Sequence, residues 1–484
     1  MNDIETIDRR LTIGNATVPA ILPHDLGDRV WRAELGLRYA YVTGSMANGI
    51  ASAELVEAIS RAGMLGFFGA AGLSSQRVRQ AIDRLQSTLG QQPFGFNLIH
   101  SPNEPRLEAE VAELYHTRGV RLVEASAYLD LTLPLVRYRL RGIYAGPDGQ
   151  VICPNRVIAK VSRIEVATRF FSPPPERMLA ELVREGTLTP TQAQLAQRVP
   201  VAQDITAEAD SGGHTDNRPS ITLIPTLLAL RDRMQPRYTI PLRVGAAGGI
   251  ATPEAVAAAF QMGAAYVVTG SINQACRESG SSDAVREMLA QAEQADVIMA
   301  PAADMFEMGV KLQVLKRGTL FAMRAARLYE CYRNYPSLEA IPTAERETLE
   351  KTIFRAPLET IWAETQTFWR ERDPQQLERA AHEPKHRMAL VFRWYLGLSS
   401  RWANAGEPTR RMDYQVWCGP AMGAFNEWTR GSYLEDWRNR YVADVARNLL
   451  WGACVRTRQH FLRLQGVPAD EPVRPRRGLE ELFP

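Results

Sequence analysis

The chain runs to 484 residues, 45% apolar and 23% charged, which excludes a disordered or fibrous protein and implies a soluble globular one. Its 57 Lys and Arg nearly balance 54 Asp and Glu, and a net charge of +3 excludes a global field for gathering nucleic acid or anionic lipid. That length exceeds what one hydrophobic core usually serves, so a large domain with a second unit, or one barrel with heavy additions, is expected.

The N-terminus, Met1-Asn2-Asp3-Ile4-Glu5, lacks the basic and apolar regions of a signal peptide, and no apolar run reaches the ~18 residues of a membrane-spanning helix. A cytoplasmic location is expected. From about residue 39, short β-rich runs alternate with helical stretches, as in repeated βα units around a parallel sheet. Eight candidate strands occupy 39–43, 65–68, 94–98, 121–125, 157–161, 205–209, 242–246 and 266–269. They are short and mostly apolar on both faces, as strands packed between a barrel interior and outer helices must be. Helices are expected at 53–62, 76–89, 104–117, 223–234, 253–262 and 283–292. Thr252 and Pro253 make a helix start, the first as cap and the second in the first turn. The fourth unit is weaker, because 131–140 is short and carries Pro134.

Two segments exceed a minimal barrel. Pro173-Pro174-Pro175 opens an insert at about 172–203, helical to 197, where a cap over the strand C-termini is expected. Past Pro301 the pattern is helical with no further strand alternation, including 320–332, 349–367 and 388–402. The expected fold is α/β, a (β/α)8 TIM barrel over 1–300 with an inserted helical segment, followed by a C-terminal α-helical extension over 301–484. Arg474-Pro475-Arg476-Arg477 reads as a solvated basic tail.

Gly245-Ala246-Ala247-Gly248-Gly249-Ile250 follows the seventh strand and Thr269-Gly270-Ser271 the eighth. In such barrels these two loops commonly form a phosphate site, because glycine lets backbone N–H groups approach the anion. Asp210-Ser211-Gly212-Gly213-His214 follows the sixth strand, and its paired glycines leave room for a flat ring against the backbone. Alone, His214 would read as a capping or core-edge residue. At the catalytic face, an imidazole with a pKa near ~6.5 suits proton transfer. Asn97 and Lys160 are polar groups in apolar strands, costly to bury unless paired. Either they hydrogen-bond the edge of a flavin ring, or Lys160 pairs with an inward carboxylate such as Glu124 or Glu208.

Other motifs carry less. His382-Glu383-Pro384-Lys385-His386 matches the HExxH zinc pattern, but a helix starting at Pro384 leaves His382 off the His386 face. Gly66, Gly69 and Gly72 have the wrong spacing for a dinucleotide fingerprint and read as a βα loop near the flavin. No GxSxG elbow appears. Cys153, Cys276, Cys331, Cys418 and Cys454 are odd in number and scattered, so reduced thiols are expected and neither a disulfide framework nor a structural zinc site. Trp394, Tyr395 and Trp402 read as core residues, with an acyl-pocket wall as the alternative.

The segments 41–50 (Tyr41-Val42-Thr43-Gly44-Ser45-Met46-Ala47-Asn48-Gly49-Ile50), 66–72, 96–105, 209–218, 385–402 and 417–423 closely resemble the PfaD family. Its members are the stand-alone enoyl reductases of polyunsaturated-fatty-acid synthases and trans-acyltransferase polyketide synthases. More broadly the barrel is similar to nitronate monooxygenases and FMN-dependent enoyl-acyl-carrier-protein reductases. The resemblance implies His214 as the active-site histidine. It places Gly248, Gly249, Gly270 and Ser271 at the FMN phosphate, with Gly212 and Gly213 beside the flavin. Met46, Ala47, Asn97 and Lys160 fall where the ring is contacted. It implies FMN and NADPH as cofactors and, as partners, an acyl carrier protein bearing an enoyl thioester and other synthase components; self-association stays open. Nitronate monooxygenases usually show Glu-Ala-Gly-Gly-His, and Asp210 and Ser211 depart from that pattern. A flavin oxidase of that kind and a non-catalytic docking component of a synthase are the rival expectations.

Overall fold

The computed structural model describes residues 3–100 and 105–483. Residues 1 and 2 of the N-terminal segment, and 101–104 at the end of the 96–105 motif and the expected helix start at 104, lie outside the described residues. The chain divides into two compact units, 1–211 with 215–280 and 420–484, and 212–214 with 281–419.

In the first unit eight parallel strands close on themselves: β1 (Tyr41–Thr43), β2 (Leu65–Phe68), β3 (Gly95–Ile99), β4 (Leu122–Ser126), β5 (Arg156–Val161), β6 (Asp204–Glu208), β7 (Arg243–Ala247) and β8 (Val267–Thr269). Every strand pairs with its neighbour in chain order, and β8 returns to β1 with Val267 opposite Tyr41 and Thr269 opposite Thr43. The (β/α)8 barrel implied by the periodicity is therefore the observed fold. β2 is buried along its whole length, as a strand covered on both faces must be. Thr252 accepts from the Ala255 N–H to cap the helix Pro253–Met262, and Pro134 sits in the first turn of the helix Leu133–Leu140, where a missing N–H costs nothing. At the N-terminal ends of β5, β6 and β7, Arg243 (1% exposed) and Arg156 bridge Asp204, Asp28 and Glu34. A buried guanidinium is tolerated there because carboxylates surround it.

The eighth outer helix does not come from 283–292. The helix Asp283–Ala290 belongs to the second unit. The C-terminal helix Val442–Leu464 packs instead on Pro253–Met262 and on Ala53–Arg61, the helices after β7 and β1, and so fills the eighth position. It buries Val445, Leu449, Leu450, Val455 and Leu462, each worth roughly 1.5–3 kcal/mol. Its Arg458 donates to the carbonyls of Ile4, Arg9 and Pro19 and ties down the N-terminal segment. A Cβ on Gly452 would lie 2.5 Å from Cγ of Pro253. Gly452→Val is expected to destabilise the fold by about 1–3 kcal/mol, read as a lower urea midpoint.

The insert forms two short helices, Glu176–Arg184 and Pro190–Ala196. They do not cap the strand C-termini. Gln192 donates to the Ile143 carbonyl and Arg198 to that of Gly149, beside the hairpin Tyr144–Ala145/Val151–Ile152 that leads into β5. A segment between the end of one outer helix and the start of the next strand falls at the N-terminal end of the barrel.

The second unit has its own core around Phe306, Phe321, Phe354, Met388, Phe392 and Tyr395. Its helices include Phe321–Asn334, Leu358–Arg372 and Pro384–Ala405. Contrary to an all-helical reading past Pro301, it also holds an antiparallel sheet of Gly213–His214, Lys311–Leu315 and Val297–Pro301. Tyr395 is fully buried, while Trp394 and Trp402 pack against the same core, the plainer of the two readings of those aromatics. The helix following Glu383 starts at Pro384, as the HExxH geometry required, and His386 is buried with Nε2 3.0 Å from Gln376. No disulfide joins any of the five cysteines, and no helix among the described residues is long and apolar enough to cross a membrane.

Candidate active site

The loops after β1 and β2 interlock through their backbones. Gly69 N–H donates to Ala51, Gly49 N–H to Gly69 and Asn48 N–H to Ala71. A side chain on Gly69 would run into the Met46 carbonyl, so this glycine is required for the close approach of the two loops. Met46 and Ala47 sit half-buried at the C-terminal end of β1.

The two glycine loops lie at the C-terminal ends of adjacent strands. Gly248 and Gly249 adopt φ of +80° and +76°, the left-handed region that disfavours side chains. A Cβ on Gly248 would lie 2.5 Å from the Ala209 backbone, whereas Cβ atoms on Gly249 and Gly270 would meet nothing within 4 Å. Gly248 thus holds the loop against the end of β6, and the other two present open backbone. Ser271 opens the short helix Ser271–Gln274.

Asn97 is buried in β3 and spends both amide hydrogens on β4, at 3.2 Å to the Glu124 carbonyl and 2.9 Å to the Ser126 hydroxyl. Lys160 takes the carboxylate pairing weighed from sequence, and takes it twice: Nζ is 3.2 Å from Glu208 and 3.9 Å from Glu124. Burial favours loss of the Lys160 proton, but the charges of Glu208 and Glu124 outweigh it and hold the ammonium above its ordinary pKa. Burial raises the Glu124 carboxyl despite Lys160 and the N–H and hydroxyl of Ser45. Glu124 Oε1 is buried with no hydrogen-bond partner among the described residues. The Lys160 charge is therefore largely compensated locally rather than held free for a flavin.

The loop leaving β6 is pinned at both ends within the first unit. Asp210 N–H donates to the Arg218 carbonyl, and Asp216 accepts from Ser162 and Arg163 at the end of β5. The Arg163 hydrogen bonds hold the Asp216 carboxyl down at about 2. A depressed carboxyl stabilises the fold above its unfolded pKa of ~3.9 and loses that contribution as pH falls through the folded value. Asp216→Asn is expected to cost about 1 kcal/mol at pH 7, and the difference from wild type should close between pH ~4 and ~2 in denaturant titrations.

Within the second unit, Gly213 and His214 pair with Gln313 and Leu312. Gly212 has no open face, since a Cβ there would lie 2.8 Å from the Cys418 backbone; Gly213, at φ +80°, has nothing within 4 Å. His214 Nε2 lies 3.1 Å from Oδ2 of Asp304. Burial raises the Asp304 carboxyl, but the hydrogen bond and charge of His214 outweigh it and hold it below the usual range. Asp304 lies 90 residues from His214 in an ordinary loop, and only the pairing of Lys311–Leu315 with 213–214 marks it. Glu108, buried beside His100, is the second acidic group that sequence reading missed.

Residues 35–332 match the nitronate monooxygenase family model, and 335–414 match the inserted helical domain of [acyl-carrier-protein] S-malonyltransferase. The chain is 49% identical over 461 residues to a component of the polyunsaturated fatty acid synthase of Thraustochytrium sp., covering 93% of this chain and 31% of that protein. It is 46% identical over 433 residues to the polyketide biosynthesis protein PksE of Bacillus subtilis, covering 89% of this chain and 56% of the other. The chain thus spans between about a third and about half of these two curated relatives. The crystal structure of the enoyl reductase domain of MlnA, from the macrolactin cluster of Bacillus amyloliquefaciens, superposes with a TM-score of 0.86 at 39% identity, over 92% of this chain and 100% of that one.

Proposed function

Because the chain belongs to the nitronate monooxygenase family and, within it, to the PfaD-like enoyl reductases, we propose that it is an FMN- and NADPH-dependent reductase of enoyl thioesters carried by an acyl carrier protein of a polyketide or polyunsaturated-fatty-acid synthase. The residues present fit FMN. Gly249 and Gly270 offer the open backbone a phosphate needs, Gly248 and Ser271 flank them, and Met46 and Ala47 would border the ring, while Asn97 and Lys160 stay engaged with β4 and with Glu208 and Glu124. Bound there, the flavin supplies the hydride that reaches the β-carbon of the substrate.

The observation that carries the reading is the His214–Asp304 pair. Hydride addition leaves negative charge on the α-carbon and thioester oxygen, so a proton must be delivered. With Nε2 engaged by Asp304, the imidazolium gives up its proton and leaves a neutral ring still bonded to the carboxylate. Asp304 orients the ring and stabilises its charged form.

The nitronate monooxygenase match favours one rival, in which the same histidine takes a proton from a nitroalkane and oxygen is the acceptor. Under argon, NADPH consumption is expected to depend on crotonyl-pantetheine and to yield the saturated thioester. Turnover only with a nitroalkane and oxygen would replace this reading with the rival.

A further inference from the structure

A second imidazole at the barrel mouth is built into a network that proton delivery by His214 leaves unused. His100 directly follows β3, and its backbone N–H donates to the Ser126 carbonyl at the end of β4, 3.1 Å away. Its Nδ1 lies 2.8 Å from Oε2 of Glu108. The Glu108 side chain is 2% exposed, and its other oxygen accepts from the Tyr128 hydroxyl at 2.9 Å and from the Thr132 hydroxyl. Tyr128 stacks on the imidazole, with ring centroids 5.4 Å apart and planes 28° apart. Asn97, three residues earlier and on β3, also bonds Ser126, so the imidazole shares its footing with a residue that the family resemblance puts beside the flavin ring.

A buried carboxylate needs donors, and a hydroxyl or amide in place of His100 would complete the set. The imidazole does more. Its orientation is fixed by a stacked ring, a buried carboxylate and a backbone anchor, yet its side chain keeps 23% exposure. A ring held on one nitrogen by an orienting acid, with the other left for a ligand, is the arrangement of a working histidine.

We propose that His100 is a catalytic residue whose Nε2 hydrogen-bonds the thioester carbonyl oxygen of the enoyl substrate and stabilises the charge that collects there. This rests on the reading of the barrel as an enoyl-thioester reductase. As hydride bonds to the β-carbon, the alkene electron pair shifts toward the carbonyl oxygen and the Nε2–H bonds it. When the α-carbon is protonated the carbonyl re-forms, and His100 is left as it began. Glu108 is a positioning residue.

The test uses the FMN-loaded protein, bleached anaerobically with NADPH and mixed with crotonyl-pantetheine. His100→Gln is expected to retain FMN, melt within a few degrees of wild type and bleach at the wild-type rate. Colour recovery with the thioester should slow about 100-fold, and butyryl-pantetheine, followed by the flavin absorbance shift, should bind about tenfold more weakly. Glu108→Gln should slow recovery about tenfold without changing the bleaching rate. Recovery within threefold of wild type, or bleaching and recovery falling together with the melting temperature, overturns the proposal. If wild-type protein does not recover colour with crotonyl-pantetheine, the reductase reading fails by itself. The butyryl-pantetheine titration then decides on His100, equal affinities for wild type and His100→Gln removing it.

Discussion

His214→Ala is expected to lower turnover of an enoyl thioester by about 100- to 1,000-fold while leaving FMN bound and the rate of NADPH-dependent bleaching unchanged. The loss falls on the step that needs a proton. His214 stands in a short strand whose backbone pairing with Gln313 and Leu312 does not involve its ring, so removing the imidazole leaves the strand intact. Asp304→Asn should cost less, about tenfold, because the ring remains but loses the carboxylate that favours its charged form and fixes its orientation. Stopped-flow spectra of the two half-reactions separate these outcomes from a general loss of folded protein.

Lys160→Met is expected to be among the most destabilising single changes in the barrel, by about 3–5 kcal/mol. The ammonium sits between Glu208 and Glu124, and the latter is fully buried with one oxygen unpartnered. Removing the cation leaves the buried Glu124 carboxylate without its compensating charge beside the partly exposed Glu208, and the relief available is to protonate Glu124. The penalty should therefore shrink as pH falls toward the carboxyl range. Adding Glu124→Gln and Glu208→Gln should restore much of the stability, since uncharged groups no longer need the cation. Denaturant titrations of the single and triple variants check this. Equal stability of Lys160→Met and wild type at pH 7 would mean that the pair contributes nothing to the fold.

The barrel was legible because its signal is local. Runs such as Leu65–Phe68 and 244–247 are apolar on both faces, and Thr252 with Pro253 announces a helix within two residues. The eighth helix was not legible, because 283–292 follows the last strand and carries helical periodicity, and only tertiary packing, tight at Gly452 against Pro253, selects 442–464 instead. Lys311-Leu312-Gln313-Val314-Leu315 is too short for its alternation to stand out among helices, yet it is the strand on which His214 is laid. The glycine loops and His214 could be singled out as candidates from position along the chain. Asp304 could not, since an acid 90 residues away becomes a partner only through that strand pairing. Lys160 shows the limit from the other side: its residue type implied a functional charge or, nearly as strongly, a buried pair, and the distances to Glu124 and Glu208 show the pair.

The central claim is that this barrel passes hydride from NADPH through FMN to an enoyl thioester. A single anaerobic turnover tests it most directly: the FMN-loaded protein is bleached with one equivalent of NADPH and mixed with one equivalent of crotonyl-pantetheine under argon. Full recovery of the yellow absorbance with one equivalent of butyryl-pantetheine formed is the predicted result. Protein that stays bleached until oxygen is admitted, with the crotonyl thioester unchanged, would contradict it.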